Sequence, residues 1–438
     1  MILSPHVVGI IGIIVLFTLI ALGVPIAISS AFVGFIGTAV LIGLTGALGI
    51  LYTVPIEAVS SYALSVIPLF IMMGILALYG GIGQELYAAC VKWFGRLPGG
   101  LAMATIAANA LFGACSGSSV AAAATFSKIS LPEMKRYNYN IRLSTGSIAV
   151  SGTLAAMIPP SGMMVIFCIF ADVSLGKILI AGIIPGILSA VMYMLSVYVR
   201  VKLNPSLGPT ILQKVSLKEK VFALRYLLGI ATVFVVLLGG IYLGFFSPTE
   251  GGAAGSFVVF LIVLLRGKMN LHMLLLTVKE TVTVSAMIFF IVMGAMIFVQ
   301  FLALSRLPHF LIDIVKVGQV SPSIVVVLIL LLYVVLGTFL DNVGMMALTL
   351  PVVFPLIEFL GINGIWFGIM VIKMQEIALV TPPLGLNVYV VQRLAPKGTR
   401  LGDVFLGIMP FLIMDVLTLA LIFIFPQIVL WLPATMAG

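Results

Sequence analysis

The sequence predicts an all-α polytopic membrane protein: about ten spans plus two re-entrant hairpins, arranged as inverted repeats. Three observations carry that expectation. The 438 residues are 62% hydrophobic and only 8% charged, with mean hydropathy +1.32, whereas a soluble chain is about 25% charged. Apolar runs of about 17–25 residues, each long enough to cross hydrocarbon, recur along the chain. Two segments about 220 residues apart are built alike: Leu154-Ala-Ala-Met-Ile-Pro-Pro-Ser161 and Ile377-Ala-Leu-Val-Thr-Pro-Pro-Leu384.

Full spans are expected near 7–24, 27–46, 65–83, 142–170, 177–200, 222–243, 249–266, 282–304, 362–393 and 404–431. The first apolar run has no basic region or cleavage site before it and reads as a retained span. Residues 100–128 and 321–356 do not fit simple spans. The first carries Gly113-Ala-Cys-Ser-Gly-Ser-Ser119 in its middle, and the second Gly337-Thr-Phe-Leu-Asp-Asn342. Each reads as two half-length helices joined by a polar tip. Stretches 84–98 and 305–318 mix charges with apolar residues and read as interfacial amphipathic helices that brace the hairpins. The basic polar loop 201–221 marks the boundary between halves.

Net charge is +9. In so apolar a chain the excess sets topology through the positive-inside rule and does not point to nucleic acid. With the N-terminus outside, only Lys177, Arg306 and Lys316 of the 22 lysines and arginines lie outside and Lys373 lies within a span. The others are cytoplasmic. Cys90, Cys115 and Cys168 sit in apolar or small-residue surroundings and read as reduced packing residues. Three scattered histidines make no metal cluster. The halves also match in order: Ile71-Met-Met-Gly74 with Ile291-Val-Met-Gly294, Arg96-Leu-Pro98 with Arg306-Leu-Pro308, Leu131-Pro132 with Phe354-Pro355, and Gly182-Ile-Ile-Pro185 with Gly407-Ile-Met-Pro410.

The chemistry concentrates at the tips and at the Pro-Pro pairs. Proline has no N–H, its ring clashes with the preceding turn, and it pushes the residue before it out of the α region. A broken backbone at membrane depth is tolerated where it lines an enclosed or watery cavity. Paired breaks in two halves point to a transporter binding site. The breaks free the carbonyls of 155–158 and 377–380, beside the Thr381 hydroxyl. Freed carbonyls at a half-helix C-terminus suit a cation, and the helix starts that follow suit an anion. At the first tip, Ser116, Ser118 and Ser119 offer hard oxygen ligands, or close helix packing. Asp341, Lys373 and Glu376 are ionisable groups placed at membrane depth and are functional candidates. Lys373 and Glu376 share a helix face and can neutralise each other. Asp341 can ligate a cation or cap the second arm of its hairpin. Asp172 and Asp415 read as span-end residues. An anion held by helix starts and hydroxyls would contact Ser118, Ser161 and Asn387.

These residues resemble the large membrane subunit of tripartite ATP-independent periplasmic (TRAP) transporters over essentially the whole length. The resemblance rests on Gly117-Ser-Ser-Val-Ala121, Ile158-Pro-Pro-Ser161, Ala181-Gly-Ile-Ile-Pro-Gly186, Leu340-Asp341 and the run Glu376 to Asn387. More distantly the arrangement is similar to sodium-coupled dicarboxylate carriers with an elevator mechanism. The resemblance implies an elevator-type, ion-transporter-like fold in a bacterial inner membrane, with both termini periplasmic. It implies sodium ions as coupling partners. One ion would be held by Ser116, Ser119 and carbonyls near Ala155, Ile158 and Pro160. The other would be held by Gly337, Thr381 and carbonyls near Ala378 and Leu384. Asn342 stands where a smaller residue is expected. Implied partners are a periplasmic substrate-binding protein, a separate small four-helix membrane subunit and a carboxylate solute; no organic cofactor is implied. Residues 1–98 and 201–318 would be scaffold with the two arm helices. Residues 99–200 and 319–433 would form the moving unit. The absence of a Walker motif disfavours ATP-driven transport. A binding-protein-independent sodium/dicarboxylate symporter is the alternative. An intramembrane enzyme using Asp341 and Glu376 would leave the first hairpin without a role.

Overall fold

The computed structural model describes residues 4–210, 215–337, 339–383 and 385–436. Every regular element among them is helical. Among the described residues, seven helices are long and apolar enough to cross a membrane alone, and an eighth results if Ile141–Met157 and Gly162–Ala171, bent by 47°, form one span. Five more apolar helices run 10–17 residues: Pro5–Ala21, Ile26–Ile42, Leu44–Ser60, Gly100–Ser116 and Pro322–Leu336. The last two are first arms of the hairpins.

The two halves repeat one order of elements. In the first, the helix Val66–Tyr79 leads to an arm helix Ile82–Phe94 and the hairpin Gly100–Ser116/Ser119–Arg136. The broken helix Ile141–Met157/Gly162–Ala171 and the closing helix Ile183–Leu203 follow. The second half runs Leu271–Leu304, arm Leu307–Val317, hairpin Pro322–Leu336/Asn342–Phe359, broken helix Gly364–Ala378/Leu386–Leu394 and closing helix Leu401–Ile424. Each arm is entered through a left-handed residue, Gly81 (φ 70°) or Arg306 (φ 55°). On the first arm, Glu85 pairs with Arg266 and, at 3.1 Å, with Lys268. That fastens the arm to the end of the helix Pro248–Leu265.

Small residues let helices touch backbone to backbone, the packing that membranes favour because lipid gives no hydrophobic drive. A Cβ on Gly34 would lie 2.8 Å from Phe298 N, so Ile26–Ile42 lies directly on Leu271–Leu304. Gly146 and Gly407 do the same between the first broken helix and the second closing helix, and so knit the two halves together.

Three elements differ from the sequence expectation. Leu44–Ser60 is a separate helix packed on Ile26–Ile42 and Leu271–Leu304. Its Pro55 and Glu57 lower its apolarity, which hid it. The helix expected at 282–304 begins at Leu271, where Asn270 caps it by accepting from Met273 N at 2.8 Å. Its early turns carry Lys279 and Glu280, which a hydropathy reading excludes. The run 404–431 divides at Pro426 into Leu401–Ile424 and Gln427–Ala434.

Candidate solute and cation site

The first tip folds where its sequence loses side-chain bulk. The arm Gly100–Ser116 stops at Gly117, whose φ of 56° is left-handed, and Ser118 turns extended as N-cap of Ser119–Arg136. The Ser118 hydroxyl accepts from Ala121 N at 3.4 Å. Glycine is needed at 117 on two counts: the left-handed backbone and the neighbour. A Cβ there would sit 3.1 Å from the Pro160 carbonyl oxygen, and one on Gly113 would sit 2.8 Å from Ala155 Cα. The tip thus rests on the first helix break, which carries a cis Pro159-Pro160 bond. Ser116, Ser119, Ala155, Ile158 and Pro160 belong to this one junction. The Ser116 and Ser161 hydroxyls are buried without a hydrogen-bond partner.

The second tip repeats the junction. A Cβ on Gly337 would run into the Ala378 side chain, so this tip abuts the second break, with its cis Pro382-Pro383 bond. Thr381 donates its hydroxyl to Ile377 O at 2.7 Å. Asn387 N reaches back to Leu379 O at 3.2 Å and closes the loop. Leu384 lies outside the described residues. Asp341 caps the helix Asn342–Phe359, accepting from Val343 N at 3.2 Å and Gly344 N at 3.4 Å. Of its two expected roles, capping is the contact seen.

Between the tips lies a cavity of about 240 Å³. Ser116 to Val120 of the first tip and Asp341 to Val343 of the second line it, with Gly162, Met163, Glu376, Leu379 and Leu386. Four helices start at this wall: Ser119–Arg136, Asn342–Phe359, Gly162–Ala171 and Leu386–Leu394. Helix starts present N–H groups and the positive end of the helix dipole. Apolar residues of Val66–Tyr79 and Leu271–Leu304, among them Phe70 and Met287, close the remaining side. Glu376 is 1% exposed and joins the two tips. Ser119 Oγ donates to one carboxylate oxygen at 2.6 Å, and Asn342 Nδ2 to the other at 3.0 Å. Gln375 Nε2 adds a bond to Asn342 O at 3.1 Å. That leaves Asn342 Oδ1 and Gln375 Oε1 buried without a donor, as acceptors that suit a cation.

The profile of the family described as "Tripartite ATP-independent periplasmic transporter, DctM component" matches residues 13–428. The chain belongs to that family. It is 32% identical over 405 residues to the C4-dicarboxylate TRAP transporter large permease protein DctM of Pseudomonas aeruginosa, covering 90% of this chain and 93% of that one. It is 30% identical to the sialic acid TRAP transporter large permease protein SiaM of Vibrio cholerae, covering 95% and 96%. The ectoine TRAP transporter large permease protein TeaC of Halomonas elongata is 30% identical, covering 94% and 96%. The fold is similar to the solved Alcanivorax borkumensis YdaH transporter, with TM-score 0.61 and 14% identity over 97% of this chain and 98% of that one.

In this DctM-family permease the remaining membrane-depth charges pair differently from the sequence expectation. Lys373 does not neutralise Glu376. Its ammonium donates to Asp415 at 2.6 Å, Ser189 at 3.1 Å and Tyr193 at 3.3 Å. Tyr193 also donates to Asp415. Asp415 is therefore a buried counter-ion and not a span-end residue. The cluster ties the first closing helix, the second broken helix and the second closing helix together. Of the expected solute contacts, Ser118 lines the cavity. Ser161 and Asn387 are fully buried behind it, and the Asn387 amide donates to Ala149 O at 3.3 Å.

Sequence reasoning missed the roles of Asn342, Gln375, Tyr193 and Asp415. One signal was available for Asp415: a lysine at membrane depth needs a counter-ion, and Asp415 is the acid in the middle of the facing helix, whose other acid, Asp403, lies in its first turn.

Proposed function

We propose that this permease takes up an organic carboxylate across the bacterial inner membrane by coupling it to inward sodium movement. The observation that carries the reading is the convergence of four helix starts on one cavity between the two tips, each tip resting on a helix break. Helix starts attract an anion without an ionised side chain having to cross the membrane. Hydroxyl and carbonyl oxygens at each tip-and-break junction suit a small hard cation. The unpartnered Ser116 hydroxyl and the Asn342 and Gln375 carbonyl oxygens add to that donor set. Two junctions of this kind favour at least two sodium ions per solute.

The solute class is supported by relatives named for C4-dicarboxylate and sialic acid transport. A family described as tripartite supports two further parts: a periplasmic protein that delivers the solute and a small membrane subunit. Alternating access is by an elevator. Residues 99–200 with 319–433 move against 1–98 with 201–318. Both tips, both breaks and the Lys373–Asp415–Tyr193 tie fall in the first set. The basic loops face the cytoplasm and both termini the periplasm. With an odd number of crossings before residue 84, the short helix Leu44–Ser60 then lies along the membrane.

The test is uptake by the reconstituted permease with its periplasmic and small-subunit partners, external sodium replaced by potassium. Sodium coupling predicts loss of uptake. Undiminished uptake removes the reading.

A further inference from the structure

A second cavity, of about 690 Å³, shares no lining residue with the one between the tips, although Ala114 and Ile158 of the first tip and break line it. Its lining side chains are Ala, Cys, Ile, Leu, Met, Val, Phe and Trp only. It is a long slot. It runs from Ile183 to Met194 on the first closing helix and from Leu224 to Val235 on the span Leu217–Tyr242. At 1.5 Å rise per residue each wall is about 16 Å long. Its wholly apolar lining and its length suit flexible hydrocarbon.

The two ends differ. At one end stands Trp93, with Lys220 Nζ 5.8 Å from its ring centre. The Trp93 indole donates to Lys220 O at 3.2 Å. Lys218 and Arg225 flank this end in sequence, and the nearby acid Glu219 is engaged in a capping box with Ser216. Tryptophan beside basic residues is the composition of a membrane–water interface, and clustered lysines and arginines attract anionic headgroups. The other end meets Phe234 and Val235, where a π-helical turn, Val235–Gly239, interrupts the span. Such turns are frequent at functional sites.

We infer that this slot holds the hydrocarbon of one anionic phospholipid, whose headgroup lies against Lys220 and Trp93. The walls come from both proposed units: the arm and the span Leu217–Tyr242 on one side, the first hairpin and first closing helix on the other. The lipid then fills the seam along which the units slide. That role rests on the two-unit reading; retention of the lipid does not.

The test uses the full chain, purified in mild detergent, washed extensively and weighed by native mass spectrometry. The expected result is one retained phospholipid per chain, drawn from phosphatidylglycerol in preference to phosphatidylcholine when both are supplied in mixed vesicles. Ala190→Phe and Ala231→Phe fill the slot and should lower retention at least about tenfold, the effect of displacing roughly 60 Å² of apolar lipid contact. Lys220→Glu should abolish the preference for the anionic headgroup while retention persists. If the filled variants fail to fold, the unaltered chain decides: phosphatidylglycerol with a photoreactive acyl chain should crosslink within 183–194 or 224–235. No retained lipid, equal retention in the filled variants, a protein mass in place of lipid, or crosslinks elsewhere would each overturn the inference.

Discussion

Replacing Glu376 by glutamine should unfasten the tips. The carboxylate accepts one donor from each hairpin, Ser119 at 2.6 Å and Asn342 at 3.0 Å. A hydrogen bond to an ionised group is worth about 1.5–3 kcal/mol. Glutamine keeps the volume, accepts from Asn342 Nδ2 and donates to the Ser119 hydroxyl, so both contacts persist but without their ionic assistance. Relief of a buried charge offsets part of the cost, which selects the low end, about 1.5 kcal/mol. That is about a tenfold shift from joined toward separated tips. Spin labels at Val120→Cys, which lines the cavity, and Phe339→Cys, exposed on the second tip, would read it as a longer inter-tip distance. The three native cysteines are buried and should stay unlabelled. The solute concentration for half-maximal uptake should rise in the same proportion, because fewer molecules hold the competent arrangement. Ser119→Ala combined with Glu376→Gln should cost less than the sum of the two alone. An unchanged distance distribution, with protein amount and melting temperature as controls, refutes the reasoning.

Other outcomes follow from single contacts. Lys373→Ala leaves Asp415 buried without its cation and should destabilise the fold by about 3–5 kcal/mol, read by thermal unfolding in detergent, with partial recovery in Lys373→Met/Asp415→Leu; an unaltered melting curve in the single variant contradicts the pairing. Gly117→Ala places a methyl 3.1 Å from Pro160 O on a left-handed backbone. At about 1–2 kcal/mol for the conformation alone, it should raise the sodium concentration for half-maximal uptake roughly 5–30-fold, and an unchanged sodium curve counts against a cation site at that junction. Ser4→Cys in intact cells should react with a membrane-impermeant maleimide; reaction only after lysis would mean that Leu44–Ser60 crosses the membrane.

Much of the fold was legible because its signals are local. The Pro-Pro pairs at 159–160 and 382–383, the glycine and serine tips and the amphipathic arms each announce themselves within a dozen residues. The order of the halves could be read by comparing such marks. What was not legible is which side chains meet across the fold. Lys373 and Glu376 share a helix face, so a local rule pairs them. The structure instead sends Lys373 to Asp415, 42 residues on, and Glu376 to Ser119, 257 residues back. Nothing in the period or composition of one helix encodes a partner on another. Leu44–Ser60 was missed for a different reason. Its Pro55 and Glu57 dilute the apolar signal, and its helicity is supported by packing on Leu271–Leu304 rather than by its own sequence.

In the proposed mechanism a cavity walled by helix starts binds an anion while the oxygen-rich junctions beside it bind sodium. Each charge then offsets the other's cost, and the coupling must be reciprocal. The direct measurement is the solute affinity of the purified permease across a sodium series, and its sodium affinity across a solute series. Each should tighten the other by one and the same factor. Affinities independent of each other would contradict it and move the anion away from the cavity between the tips.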